Sequence, residues 1–190
     1  MASYLLPILA LIIGTLIGLQ LPDTDQVFTL IGLVHRSIIT HGLLLPLGAY
    51  LLIRKRMRWL QMGVAGLCLA IAVHLTFDLF PRSWYGYALI TVPLVGQLDP
   101  TLTVLWLTIS MLTCCLLALR LLRDRRDLVL ALVAAGWGFI TSAGRERVWL
   151  MPLVVLVGAL FLASCLPNPA FDGRAAARRW VERTQQMRRP

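Results

Sequence analysis

Charge is scarce in this sequence: only 14% of its 190 residues are Asp, Glu, Lys or Arg, against about 25% in a soluble globular domain. With 58% hydrophobic residues beside that shortage, a disordered chain and an ordinary soluble fold are both excluded. Lysine is nearly missing, Lys55 standing alone among 17 arginines. Cysteine is sparse and unpatterned. Cys68, Cys114, Cys115 and Cys165 all fall in apolar runs, with neither C-x-x-C spacing nor flanking histidines, so they read as small buried hydrophobes and give no reading of redox compartment. No G-x-S-x-G elbow, Walker loop or H-E-x-x-H helix occurs, and no internal repeat or low-complexity tract.

What is present is apolar and long. Runs at 4–21, 38–53, 62–80, 101–122, 128–143 and 149–166 each approach the roughly 20 residues that cross about 30 Å of hydrocarbon. These predict an all-α fold, a polytopic transmembrane bundle of about six spans over residues 1–169, followed by a basic tail at 170–190. The first run has no basic segment before it and no small-x-small cleavage signal ahead of Leu21-Pro22-Asp23, so it reads as a retained helix.

The formal charge of +9 is gathered in Arg54-Lys55-Arg56-Met57-Arg58, in 123–127 and after Gly173. Short basic loops beside apolar spans are what the positive-inside bias produces, and contact with anionic headgroups explains them better than a nucleic-acid patch. Loop 54–61 carries four basic residues and no acid, and the tail after Gly173 sets six arginines against Glu182. Both therefore belong on the cytoplasmic side, with both termini cytoplasmic, as in a bacterial inner-membrane protein. Segments 22–36, 81–100 and 144–148 then face the opposite compartment. Arg82 and the Arg145-Glu146-Arg147 run vote weakly the other way, and Glu146 reads as part of a solvated charge run.

Several segments interrupt the pattern. Leu21-Pro22-Asp23-Thr24-Asp25-Gln26 ends the first span, because proline breaks a helix and two aspartates do not sit cheaply in lipid. Trp84, Tyr85 and Tyr87 are placed as interfacial aromatics, and Ala88–Val95 is too short to span, a shallow or re-entrant piece. Gly136-Trp137-Gly138 reads as a site of close helix packing. The tail alternates Trp180, Val181 and Met187 with arginines, as either a surface-lying helix or a solvated basic tail does.

All three histidines, His35, His41 and His74, lie in the first 80 residues with Asp23, Asp25 and Asp78, the only acids there. An aspartate in a membrane needs a partner or a watery cavity. His74 and Asp78 are four apart and share a helical face. The topology, derived from other residues, brings all six to one membrane face. Carboxylate oxygen with imidazole nitrogen suits Zn or Mn, and carboxylate-rich sites also admit Mg. The cluster therefore reads as a metal or acid/base site, with a hydrogen-bonded structural cluster or a proton relay as the alternative.

Three motifs carry a resemblance. Leu21-Pro22-Asp23-Thr24-Asp25, then His35-Arg36-Ser37-Ile38-Ile39-Thr40-His41, then His74-Leu75-Thr76-Phe77-Asp78 before Pro81, resemble the YdjM-type family of inner-membrane metal-dependent hydrolases over about residues 18–95. That resemblance implies Asp23, Asp25, His35, His41, His74 and Asp78 as the metal and catalytic set, with Arg36 holding an anionic substrate group. The chain departs from the pattern at Gln26, where the family often has His, at Gly42, where it often has Ser, and by one additional residue inside the histidine box. On a regular helix a separation of six sets His35 and His41 about 120° apart. Both then serve one site only where the chain is irregular or two metals bind.

The leading expectation is a membrane-embedded hydrolase with a divalent ion (Zn, Mn or Mg) at the outer interface, Asp25 taking a proton, and an amphiphilic phosphoester reaching the site from the leaflet. Its partners are the bilayer, that substrate and other membrane proteins, with no nucleic acid. The rival is a non-catalytic subunit or assembly factor whose polar cluster is structural glue. Ion or proton transport is weaker, because the apolar runs of spans four to six offer no acid to continue a pathway.

Overall fold

A computed structural model describes residues 2–26, 36–80 and 89–166. His35, the aromatics Trp84, Tyr85 and Tyr87, and the tail 170–190 lie outside the described residues. Within them the fold is all-α, with six helices: α1 (Ala2–Gln20), α2 (Leu44–Ile53), α3 (Arg58–Asp78), α4 (Pro100–Leu121), α5 (Arg125–Glu146) and α6 (Leu150–Cys165). A 3-10 turn covers Pro22–Gln26, and a two-residue hairpin pairs β1 (Thr91–Val92) with antiparallel β2 (Gly96–Gln97).

The helix ends follow local chemistry. Asp99 caps α4, its side chain accepting from the N–H groups of Thr101 and Leu102 at 2.9 and 3.1 Å, with Pro100 in the first position where no N–H is needed. Asp124 caps α5 by accepting the Asp127 N–H at 2.9 Å. Arg147 closes α5 in a left-handed conformation, φ 54, donating its N–H to Ala143 O.

Helix α3 is the axis, buried along most of its length from Gln61 to Phe77, with α1, α2, α4, α5 and α6 packed around it. The α1–α3 approach depends on glycine. A Cβ on Gly14 would lie 1.9 Å from Gly63 O, and one on Gly66 would lie 2.5 Å from Leu11 O. Gly14-x-x-x-Gly18 is thus a small-residue seam of the kind that draws membrane helices together, since lipid supplies no hydrophobic drive between them. Of the Gly136-Trp137-Gly138 segment, Gly138 packs on Leu19 of α1, whereas Gly136 faces open space.

Two ends define the bundle. Tyr4 stacks on Arg58, and Asp23 approaches His74, so α1 and α3 run parallel. Trp106 reaches His41 while Arg123 reaches Gln61, which makes α4 antiparallel to α3. Asp127 beside Arg58 and Phe139 on Phe77 make α5 parallel again. One end carries the basic loops, and the other carries Asp23, Asp25, His41, His74 and Asp78.

The outside of the bundle is apolar. Leu5, Leu9 and Ile13 on α1, Val133 and Ile140 on α5, and Val157 and Phe161 on α6 are all exposed. An exposed apolar surface of this extent, wrapped around a bundle, marks a membrane protein. Three helices, α3, α4 and α5, are long and apolar enough to cross a bilayer. The remaining three are shorter, and at ten residues α2 rises only about 15 Å.

The expected second span at 38–53 is therefore corrected, because residues before Leu44 form turns. Their backbone groups are drawn sideways: the Ser37 N–H donates to Asp25 Oδ2 at 2.9 Å, the Ile38 N–H to Thr91 O at 2.9 Å, and the Thr91 N–H to Arg36 O at 2.9 Å. Those groups are unavailable to a helix. In the 81–100 segment the described part is the hairpin, its tip at Leu94 and Val95 fully open to the surroundings. Cys68, Cys114 and Cys115 are buried as expected, but Cys165, at the free end of α6, is exposed.

Candidate metal centre

The site is assembled from three pieces of chain. Proline ends the first helix, and the 3-10 turn that follows sends its two carboxylates to different places. Asp23 is half-exposed, with Oδ1 3.8 Å from His74 Nε2. Asp25 is completely buried, and its Oδ2 accepts from the Ser37 N–H and, at 3.0 Å, from the Thr40 hydroxyl. That pairing fixes the turn 37–41, and the parallel bridge between Ser37 and Thr91 fixes it from the other side. Arg36 adopts φ 61 at the start of the turn, a left-handed conformation that a side-chain-bearing residue holds only when its surroundings enforce it. The result directs Arg36 Nε to within 3.9 Å of Asp78 Oδ1.

His41 is also fully buried. Its Nδ1 lies 3.3 Å from Asp25 Oδ2 and 3.1 Å from Thr40 Oγ1. A carboxylate oxygen only accepts, so a proton on Nδ1 satisfies it and leaves Nε2 with a lone pair. That Nε2 faces Asp78 Oδ2 at 3.8 Å, and His74 Nε2 faces the same oxygen at 3.5 Å. The two imidazole rings meet edge-on, with centroids 5.6 Å apart. Asp78 Oδ2 is buried and accepts no hydrogen bond among the described residues.

Asp23, His41 and His74 each offer a ligand atom within 4.8 Å of the others, a possible metal-binding triad, and no other such group occurs among the described residues. Donors sharing a tetrahedral zinc ion at 2.0–2.2 Å stand roughly 3.4 Å apart. The separations from Asp78 Oδ2 are 3.5 and 3.8 Å. The triad itself, with separations of up to 4.8 Å, would have to draw in by about 1 Å toward a divalent ion to hold it. Asp25 takes the place of the carboxylate that commonly stands behind a ligating histidine, accepting its other N–H and fixing its tautomer.

Of the expected set, Asp23, Asp25, His41, His74, Asp78 and Arg36 are brought to one end of the bundle, and His35 lies outside the described residues. Asp25 stands behind His41, on the side away from Asp78. One further contributor comes from chain that carries no part of the motifs. Trp106 of α4 donates its indole N–H to His41 O at 2.9 Å, and a Cβ at Gly42 would strike that indole at 2.6 Å. Gly42, where the resembled motif often has Ser, is thus the residue that admits Trp106. No spacing in the sequence links 42 with 106.

The centre opens on a cavity of about 470 Å³ whose lining includes Asp23, Arg36, His74 and Asp78. Its far wall is the last three turns of α5, with Trp137, Thr141, Arg145 and Glu146. Glu146 is therefore part of the cavity rather than of a merely solvated run. Comparison with protein-family models, with curated proteins and with solved structures returned no match. The resemblance over residues 18–95 rests on its motifs.

Proposed function

We propose that this chain is a membrane-embedded, metal-dependent hydrolase of the YdjM type, acting on an amphiphilic phosphoester at one face of a bacterial inner membrane. The observation that carries this reading is the convergence of two imidazole nitrogens on Asp78 Oδ2, at 3.5 and 3.8 Å, with the other nitrogen of His41 held by Asp25. His41, His74, Asp23 and Asp78 would hold the ion. When bound, a divalent cation supplies Lewis acidity toward a phosphoryl oxygen and activates water. Arg36 orients an anionic group of the substrate. Asp25 is sealed behind His41, so its part is to position that ring. Glu146 lines the cavity and has no ion pair among the described residues, which makes it the carboxylate best placed to take a proton.

Orientation follows from charge. Arg54–Arg58 and Arg123–Arg126 sit at the end opposite the centre, and the positive-inside bias puts that end, with both termini, in the cytoplasm. The centre then faces outward. A second reading, a non-catalytic subunit or assembly factor, is favoured by the way Asp25 and Asp78 face imidazole or guanidinium groups of the chain itself, as structural glue would.

Elemental analysis of the purified protein after equilibration with Zn, Mn or Mg separates the two. The hydrolase reading expects one or two ions per chain, lost in Asp78→Asn and His74→Ala while both variants still unfold cooperatively. No stoichiometric metal in the parent protein, or metal retained in both variants, leaves the structural reading.

A further inference from the structure

The wall of the cavity supplied by α5 is not needed to hold an ion, and its composition says what else the cavity takes. Of its charged lining residues, Arg36 is engaged with Asp78, and Asp23 faces His74. Arg145 and Glu146 line the cavity without an ion pair among the described residues. Arg147, two residues on, is not part of the lining. Arg36, from the turn at 36–41, and Arg145, from the end of α5, thus both line the cavity, and a pair of guanidiniums suits a phosphate, because guanidinium forms paired hydrogen bonds to its oxygens.

The cavity also has a side. Leu16 of α1 and Trp137 of α5 both line it, yet they are 46% and 49% exposed on the apolar outer surface. Residues that face the cavity and the lipid at once mark a slot between α1 and α5, two helices that also meet through Leu19 on Gly138. A water-soluble phosphate has no use for an apolar side slot. A chain-bearing one does.

Charge narrows the head further. Asp23, Asp78 and Glu146 line the cavity against Arg36 and Arg145, one carboxylate more than the guanidiniums. A bound divalent ion reverses that balance to a single positive charge. A phosphodiester carries one negative charge, whereas a monoester carries close to two near pH 7 and meets Glu146 as a repulsive neighbour.

We infer that the cavity binds a single-charged phosphodiester amphiphile sideways from the membrane, its head between Arg36 and Arg145 and its chains leaving between Leu16 and Trp137, with Arg145 as a specificity-determining residue. This rests on the hydrolase reading for the ion that completes the charge balance, and its test reads binding rather than turnover. The full-length protein in detergent, equilibrated with Zn or Mn, is titrated with dioctanoyl phosphatidylglycerol, with dioctanoyl phosphatidic acid, with dioctanoylglycerol and with inorganic phosphate. The expected order places the diester tightest, with the uncharged lipid and inorganic phosphate each at least about tenfold weaker. Arg145→Gln weakens the diester about tenfold, Arg147→Gln leaves it within twofold, and Glu146→Gln narrows the gap between diester and monoester. Metal content stays at the parent level in all three variants, because none replaces a ligand. Equal losses in Arg145→Gln and Arg147→Gln would overturn the assignment, as would inorganic phosphate binding as tightly as the diester. If no metal is found but the diester preference and its dependence on Arg145 persist, the lipid site stands and the hydrolase reading falls.

Discussion

Helix α3 carries a buried cluster of charge at each end, and the two clusters are built on opposite plans. At the basic end Arg58 donates to Asp127 and, at 3.2 Å, to Asp124, and Asp127 also accepts the Arg123 N–H at 3.2 Å. The Arg123 Nε donates to Gln61 at 2.8 Å, and the Gln61 amide donates to Arg54 O at 2.8 Å. The carboxylates there all meet donors at hydrogen-bond distance; of the donors only Arg58 Nε makes no hydrogen bond among the described residues, and Arg58 is stacked 4.6 Å above the Tyr4 ring. At the other end the polar side chains stand 3.5–3.9 Å from Asp78, and one of its buried oxygens accepts nothing among the described residues. The first arrangement ties α1, α3 and the α4–α5 connection together. The second holds polar atoms apart at the spacing of ligands about an ion. A buried carboxylate whose oxygens all accept hydrogen bonds is explained by structure, whereas a buried carboxylate oxygen that accepts none keeps the capacity to bind a ligand.

The same substitution made at each end should break that comparison most sharply. Asp127→Asn replaces a carboxylate that is 1% exposed and accepts from two donors with an amide whose NH2 must face one of them. Breaking a buried pair costs about 3–5 kcal/mol, and the partial exposure of Arg58 places this case near 3. Thermal or denaturant unfolding in detergent should show that loss, with metal content per folded molecule unchanged. A cost below about 1 kcal/mol would mean the basic end is no better satisfied than the site.

Asp25→Asn should act less on folding and more on the ion. The buried carboxylate behind His41 sets the tautomer and holds the turn 37–41, and supporting partners of this kind change metal affinity by about 10–100-fold. Competition with a chelator reads the effect directly. An affinity equal to that of the parent protein would remove Asp25 from the centre.

How far the site was legible can be judged residue by residue. The apolar runs show the all-α membrane bundle, because a helix in lipid must be apolar over its length, and loop charge alone brings Asp23, His41, His74 and Asp78 to one end. The turn at 37–43 is not legible, since it arises when Asp25 and Thr91 capture backbone groups from a distant part of the chain. Nor is the Arg58–Asp127 pair, 69 residues apart. Arg145 and Glu146 look like a solvated run in sequence and become a cavity wall through the approach of α5 to α1. Gly14-x-x-x-Gly18 is a signal that was there to be used: its spacing announces the close α1–α3 approach that carries Asp23 to His74.

Gly42→Ser tests whether glycine at this position is forced by packing. The added atoms would meet the Trp106 indole, within 2.6–2.8 Å of the Cβ position, and overpacking of this kind costs about 1–3 kcal/mol. Combining it with Trp106→Phe, which removes the atoms in conflict but also the hydrogen bond to His41 O, should recover part of the loss. A single Gly42→Ser variant as stable as the parent would show that the indole moves freely.

The smallest expected effect sharpens the comparison at its other pole. In the metal-free protein Asp78→Asn should change stability by less than about 1 kcal/mol, in contrast to Asp127→Asn. Oδ2 of Asp78 accepts no hydrogen bond among the described residues, so that oxygen has none to lose. Its Oδ1 faces Arg36 at 3.9 Å, beyond hydrogen-bond range and with Arg36 about one-third exposed, where an ion pair contributes little. Removing the charge also relieves repulsion with Asp23, which shares its approach to His74 Nε2. The amide keeps the volume of the carboxylate and presents a donor to an imidazole nitrogen. With metal added, the order reverses: the ion stabilises the parent by mass action and leaves the variant behind by about 2.7 kcal/mol at a free concentration 100 times the dissociation constant. Paired melts with and without Zn or Mn therefore distinguish a ligand from a strut. An Asp78→Asn variant that loses several kcal/mol without metal, and gains as much as the parent when metal is supplied, would make the two ends of α3 the same kind of structure after all.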